Sequence, residues 1–542
     1  MLSLKNIFLR LLLLSLLSPL FLWLGWPPLH FSFLLFLALV PLLVVEDQIR
    51  AHKLSFWKYF LIVYLSLFLW NVLSTYWIYK TSIKGALLIH LLNPLLLTIP
   101  FIFYHLSKRY FSALKSDMLF ISSWIALEYF HHNWQFAFPF LTLGNGLSSY
   151  PQLVQFYEYT GVLGGSLWIL VGNIVFFHLF QNKLSLVKNR FPENARAIFL
   201  PLLLLSVPGI LSCYIFAAYE ENGKAVQIVA IHPNIDCRNE KYKINGDTLV
   251  MRYIKYSLQK ITTETDYIVW PENAITNSQW INTINNQKVF QLIRTHLLDK
   301  YPKAKLVSGA ILYEQYNEAS LEPGTAPSLN LRYDSINNKW YHTYNSAVQL
   351  NSQDLNVSIR TKTKLVPIEE TIPYSKEFAF LRKIVRSLGG FSFETRPYNN
   401  DVFDSNNGIK VTPLICYESI FGNLVADYVK RGATLLFVIL NEGWYKDMTG
   451  ASQFMYYSSL RAIENRRSIA RSSNDGITCF INQKGEVANV TRDYKGTSIN
   501  GILYANRKKT IYTIYGDYLG LISLTICLVL IPLLGSKILR KK

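Results

Sequence analysis

The stretch VTPLICYESIFG, residues 411–422, runs apolar through Leu414 and Ile415 and then sets Cys416, Tyr417 and Glu418 side by side. Such a run reads as a strand whose end passes into a loop, and a thiol placed there is held by rigid backbone while its side chain stays open. Taken alone, a cysteine after an apolar run is a small buried hydrophobe. The chain has five cysteines, at 213, 237, 416, 479 and 527, and none forms a CxxC pair. Cys213 and Cys527 lie inside long apolar runs, so neither a disulfide framework nor a zinc site is indicated.

Outward from this strand, short β-branched runs recur at 225–231 (AVQIVAI), 266–270 (DYIVW), 305–312 (KLVSGAIL), 434–440 (TLLFVIL) and 468–474 (SIARSSN). Between them lie helical patterns, such as 249–261 with Val250, Ile254, Leu258 and Ile261 on one face. This alternation predicts an α/β domain over 218–512. The Asn- and Ser-rich stretches near 314–340 and 398–408 read as loops.

The flanks of that domain read differently. Of 542 residues 51% are hydrophobic, and the first 217 contain seven apolar stretches, near 7–25, 29–45, 58–78, 85–106, 117–132, 162–180 and 197–217; another follows near 514–535. Most approach the ~20 residues that cross the hydrocarbon layer; the second and fifth are shorter. The expected organisation is a multi-span α-helical membrane bundle of about eight transmembrane helices: seven in 1–217, then the α/β domain over 218–512, then a C-terminal helix and basic tail over 513–542. The first stretch offers no small-x-small cleavage site in LSPLFLWLGWPP and reads as a retained span. With the N-terminus inside, the inner segments carry sixteen Lys and Arg, and the outer connectors only Lys80 and Lys84. That asymmetry puts 218–512 outside the cytoplasm. It also accounts for much of the net charge of +19 without a nucleic-acid partner.

Two features of the bundle stand out. Glu128 lies in the fifth stretch beside Trp124, where a carboxylate either faces the protein interior or marks the interface. The connector 131–161 is rich in aromatic residues, holds no Lys or Arg, and would suit either the outer leaflet boundary or packing.

Three positions in the domain follow strand-like runs: Glu272 in WPENA, Lys362 in KTKLVPIEETIP and Cys416 in ICYES, separated by 90 and 54 residues. In this order they resemble the Glu-Lys-Cys pattern of the nitrilase, or carbon-nitrogen hydrolase, superfamily. With eight spans around the domain, the chain is similar to the membrane branch of that superfamily, the bacterial apolipoprotein N-acyltransferase family. The resemblance implies an αββα sandwich and an acyltransferase that moves a fatty acyl chain from a membrane phospholipid to the N-terminal amine of S-diacylglyceryl-cysteine on apolipoproteins, through a thioester. It implies Cys416 as nucleophile, Glu272 as general base and Lys362 as oxyanion stabiliser. Glu370, Tyr417, Glu418 and Trp444, the last in NEGWYKD (441–447), are implied as supporting or substrate-binding residues. No metal or cofactor is implied. Partners are the phospholipid donor, the apolipoprotein acceptor and the bilayer, with the domain on the periplasmic side of the inner membrane. The chain departs from the family where HPNIDCRNEKYK (232–243) lacks a Trp, and where LVPIEE (365–370) replaces LVPFGE; both bear on lid contacts and lipid preference. A membrane-tethered amidase that hydrolyses its acyl-enzyme is the alternative.

Overall fold

The computed structural model describes residues 4–186, 195–316, 331–335, 338–371, 373–374, 393–396, 402–405, 407–491 and 495–540. It divides into two compact units: one comprises Met1–Tyr79, Ile83–Tyr219 and Tyr515–Lys542, the other Lys80–Ser82 and Glu220–Ile514.

In the first unit seven helices among the described residues are long and apolar enough to cross a membrane. They are Ile7–Leu24, Ser32–Ala51, Phe56–Lys80, Ile83–Ser107, Val162–Gln181, Pro201–Ala218 and Tyr518–Leu539. The stretch 117–132 is also helical, Ala113–Asn133, and packs against Tyr518–Leu539 and Ile99–Ser107. Asp117, Glu128 and two histidines lower its hydropathy, which is why it is not among the seven. Glu128 is buried, where its Oε1 accepts from Trp124 Nε1 (2.9 Å) and from the Leu143 backbone N–H (2.8 Å). The carboxylate therefore faces the interior and pins the connector, whose Phe138, Phe140, Phe156 and Tyr157 are buried and whose Tyr159 is exposed. Lys188, Arg190, Lys541 and Lys542, part of the charge asymmetry, lie outside the described residues.

Among its described residues the second unit contains fourteen strands: β1 Lys224–His232, β2 Tyr267–Val269, β3 Ile275–Trp280, β4 Lys305–Gln315, β5 Arg332–Asp334, β6 Lys339–Leu350, β7 Ser358–Thr361, β8 Phe403–Asp404, β9 Lys410–Ile415, β10 Leu435–Leu440, β11 Ile469–Ser473, β12 Cys479–Ile481, β13 Val487–Ala488 and β14 Thr497–Ala505. One sheet runs β14-β1-β2-β4-β6-β5, with β3 on β4 and β7 on β6; the other runs β13-β12-β11-β10-β9-β8. The centres of both sheets are parallel, β1 with β2 and β4 in one, β9 with β10 and β11 in the other.

Strands buried on both faces need apolar residues at successive positions, and all six residues of β10, LLFVIL, are buried. Alternation sends Leu435, Phe437 and Ile439 into the core between the sheets, with Val226, Ile228, Val269 and Val411. On the outer face of the first sheet, helices Gly246–Ser257 and Lys288–Ile293 supply Leu249, Tyr253, Phe290 and Ile293 to a second core around Trp270. Helices Gly422–Lys430 and Met448–Asn465 belong with the second sheet. The order of layers is helix, sheet, sheet, helix.

Two stretches read as loops carry strands. Residues 314–340 contain the end of β4, β5 and the first residues of β6; β5 pairs antiparallel with β6, where Tyr333 and Trp340 meet at 4.9 Å. Turn-rich composition hid a hairpin held by that ring contact. Residues 398–408 contain β8 on the edge of the second sheet. Residues 317–330, 336–337, 398–401 and 406 of these two stretches lie outside the described residues.

The ends of β7 and β9, from different sheets, are tied by a buried ion pair. Arg360 donates two hydrogen bonds of 2.9 Å to the two carboxylate oxygens of Glu418, with both side chains fully inaccessible. Glu418 also accepts from the backbone N–H groups of Thr363 (2.7 Å) and Ile415 (2.8 Å), and Arg360 lies over the Tyr428 ring at 4.6 Å. Removing one partner strands a charge in the interior at a cost of about 3–5 kcal/mol. Arg360→Met should therefore lower the melting midpoint of the domain sharply, and Arg360→Met with Glu418→Gln should recover part of the loss. Unfolding followed by tryptophan fluorescence in detergent checks this; a single variant that melts like the parent would show that the pair holds nothing.

Candidate active site

β2, β7 and β9 stop just short of Glu272, Lys362 and Cys416, and each side chain owes its position to a local device. The Glu272 turn lies directly on β4: a Cβ on Gly309 would come within 2.5 Å of Asn273 N and 2.7 Å of Glu272 Cα, so only glycine lets the turn settle there. Asn273 takes a positive φ of 50° to turn the chain. Lys241, fully buried, donates from Nζ to the Glu272 carbonyl oxygen at 2.9 Å. Burial pulls the Lys241 ammonium down to about 8, against the opposing pull of Glu272.

Lys362 is held by backbone as well as by charge. Its N–H donates to the Asn345 carbonyl (2.8 Å), which continues the β6–β7 pairing one residue past its end. Its ammonium is 1% exposed and donates to Glu370 Oε1 at 2.8 Å and to Glu272 Oε1 at 3.3 Å. The Asn345 amide donates to the same two oxygens, at 2.8 Å to Glu272 and 3.0 Å to Glu370. Glu370 Oε2 accepts from the Val366 N–H at 2.8 Å. Burial alone would lower the Lys362 pKa, but Glu370, then Glu272 and Cys416, outweigh it and hold it above the usual lysine range.

Cys416 leaves β9 with φ at 51°, in the left-handed region, and opens a short 3₁₀ turn, Cys416–Ile420. The thiol is half-buried. Burial pushes its pKa well above the ordinary value, the Glu272 charge adds to this, and Lys362 opposes it. The resting group is a neutral thiol beside an ammonium and two carboxylates. The other domain cysteines lack these neighbours: burial raises Cys237 to about 11 and Cys479 to about 12.

Of the positions singled out in the sequence, Glu272, Lys362 and Glu370 meet in one hydrogen-bonded cluster, and Cys416 interacts electrostatically with all three. Tyr417 is buried and meets Phe421 edge-on at 4.9 Å. Glu418 spends its oxygens on Arg360, Thr363 and Ile415 and makes no hydrogen bond to the cluster. Trp444 stacks on Tyr242 at 6.0 Å, so the segment 232–243, which has no Trp, presents an aromatic ring to it nonetheless.

Several residues of the site were not singled out in the sequence. Asn345 is one amide in a polar strand, and only the register of β6 against β7 brings it opposite Lys362. Lys241 reads as a surface lysine in CRNEKYK. Glu442, two residues before Trp444 in the chain, is buried with Arg471 as its ion partner and accepts from Ser473 Oγ (2.9 Å) and the Ile477 N–H (3.1 Å). Among the described residues no group of three or more His, Cys, Asp and Glu is arranged to hold a metal.

Residues 18–175 match the family model of the apolipoprotein N-acyltransferase N-terminal domain, and residues 247–512 match that of the carbon-nitrogen hydrolases. The apolipoprotein N-acyltransferase of Chlorobaculum tepidum is 26% identical over 508 residues, covering 91% of this chain and 90% of that protein. The protein of the same name from Geobacter metallireducens is 27% identical over 519 residues, with 93% and 91% covered. Membrane unit and thiol-bearing domain are thus matched together, in one order, along nearly the whole length, and the chain belongs to the apolipoprotein N-acyltransferase family.

Proposed function

We propose that the protein transfers a fatty acyl chain from a membrane phospholipid to the α-amino group of the S-diacylglyceryl-cysteine that begins an apolipoprotein. The observation that carries this reading is the Lys362 ammonium, buried between Glu272 and Glu370 beside the Cys416 thiol. Glu272 takes the thiol proton as sulfur attacks the ester carbonyl. The oxyanion that forms is stabilised by Lys362, in a site dry enough to make that charge count. Collapse breaks the ester C–O bond; the leaving lysophospholipid oxygen takes the proton from Glu272, and a thioester remains on Cys416. The neutral amine of the acceptor then attacks the thioester, Glu272 takes its proton, and collapse of the second tetrahedral intermediate expels the sulfur, which recovers the proton as a thiol. One nucleophile serving two membrane-borne substrates gives ping-pong kinetics.

Glu370 and Asn345 act as positioning residues in this scheme: they fix the ammonium and leave Glu272 with one hydrogen-bonded oxygen and one to work with. Glu418 positions the loop that presents the thiol. Tyr417 packs behind it, and Trp444 with Tyr242 forms an aromatic contact for acyl chains. The domain occupies 218–512, between the seven-helix segment 1–217 and the C-terminal segment 513–542. The Lys and Arg asymmetry supports an inner-membrane protein with this domain on the periplasmic side.

Purified protein given phospholipid alone should acquire an acyl group on Cys416 that hydroxylamine releases, read by intact mass. Cys416→Ala should acquire none, and cells carrying only that variant should accumulate lipoproteins with a free α-amino group. Steady release of free fatty acid, indifferent to the amine acceptor, would instead assign a hydrolase. Lys362→Ala should slow thioester formation by on the order of 10²-fold or more through loss of the oxyanion partner, and Glu272→Gln should slow it because the thiol keeps its proton. A burst of lysophospholipid undiminished in either variant would remove these two residues from the chemistry. For orientation, an impermeant amine reagent applied to intact spheroplasts should label Lys300 and spare Lys115; the reverse pattern would put the domain on the other side.

A further inference from the structure

Away from the thiol, the domain has a cleft of about 600 Å³ that joins a smaller one of about 300 Å³ through Gly408 and Arg507. Lys224, Lys410, Arg467, Arg507, Lys508 and Lys509 line the two, and Asp404 is the single carboxylate among the described lining residues. Asp404 pairs with Lys410 at 3.2 Å. Arg507 donates to the Gly408 carbonyl (2.9 Å), Lys509 to that of Lys430 (3.0 Å), and Arg467 to those of Ala433 (2.8 Å) and Lys508 (2.7 Å). Such bonds orient a cation without cancelling its charge. Lys224, Arg507, Lys508 and Lys509 are exposed. Glu221, close by in the chain, is outside the lining and its Oε1 accepts from the Gln483 N–H at 3.1 Å.

The groove is not an annex of the catalytic site. Lys410 opens β9 and Cys416 follows its last residue, so the strand's rise sets the two about 20 Å apart at opposite ends of the strand. The groove's cations lie in the chain beside the segments that follow one membrane-length helix and precede another. Lys224 is six residues beyond Ala218, the end of a membrane-length helix, and so within about 20 Å of it by chain length alone. On the other side Lys509 is followed by the short helix Ile511–Tyr515, whose Ile511 and Ile514 are 44% and 48% exposed, and then by the span Tyr518–Leu539. Cations followed by exposed apolar residues at the entry to a span match the polarity of a lipid interface, phosphate first and hydrocarbon next.

We propose that this groove binds the phosphate headgroup of an anionic phospholipid in the adjoining leaflet, holding that edge of the domain against the membrane surface. The site is separate from the donor pocket and does not depend on the reading of the triad. The test uses the full chain in nanodiscs of phosphatidylcholine and phosphatidylglycerol in equal parts, with lipid retention read by native mass spectrometry. The parent protein should retain phosphatidylglycerol in preference. Lys224→Gln with Arg507→Gln and Lys509→Gln should reduce that preference by roughly fivefold per cation, about 10²-fold in all. Lys255→Gln with Lys260→Gln and Lys300→Gln, which removes the same charge from another surface, should leave it. Equal losses in the two triple variants, or none in the first, would overturn the proposal, as would displacement of the lipid by inorganic phosphate at an ionic strength where sodium chloride leaves it bound, which would make the site one for free phosphate. Should the first variant misfold, the parent decides: its preference must fall steeply with added salt, and a flat response refutes the groove.

Discussion

Burying the Lys362 ammonium would cost several kcal/mol if it were left unpaired, and the way this cost is offset organises one end of the domain. Two carboxylates are needed, one from the loop after β2 and one from the loop after β7, and their own remaining valences must be met. Asn345 supplies an amide to both, Val366 an N–H to Glu370, and Lys241 an ammonium to the Glu272 carbonyl. These groups come from four separate stretches of chain, at 241, 272, 345 and 362–370. Only a sheet whose register is fixed along β4, β6 and β7 can bring them to one point, because a one-residue slip would turn Asn345 to the other face.

The acyl-transfer chemistry proposed for this cluster depends on the same enclosure. A thiol raised by burial is unreactive at rest, so sulfur becomes a nucleophile only while Glu272 is in position to receive its proton. Lys362 stays charged throughout, since its two carboxylates outweigh desolvation. The division of labour proposed between the Glu272 carboxylate and the Lys362 ammonium rests on where each side chain is held.

How much of this could be read from the chain alone depended on the kind of pattern each part leaves. β10 is an unbroken apolar run and β9 ends in one at Pro413–Ile415, and Glu272, Lys362 and Cys416 were legible because their order and spacing match a known superfamily. Helix Met448–Asn465 was not legible: it buries Gln453, Arg461, Glu464 and Asn465, with Arg461 and Glu464 paired at 2.8 Å, so its buried face shows no apolar stripe. Arg360 gave a misleading signal for the same reason, as an arginine on a strand reads as surface until its partner fifty-eight positions away is known. Glu128 left two readings open, and the choice rests on a backbone N–H donated from the connector, which no sequence window contains.

The left-handed backbone at Cys416 has a consequence for how the sequence can change. A residue with a Cβ at φ of 51° costs on the order of 1–2 kcal/mol that glycine would not. Conformation at this position and the chemistry proposed for it thus call for different amino acids. Drift toward stability here runs toward an inert chain that still folds, inserts and presents both substrate surfaces. Such a chain could occupy lipoproteins without converting them, and selection must act against well-folded competitors of the active protein as well as against unfolded ones.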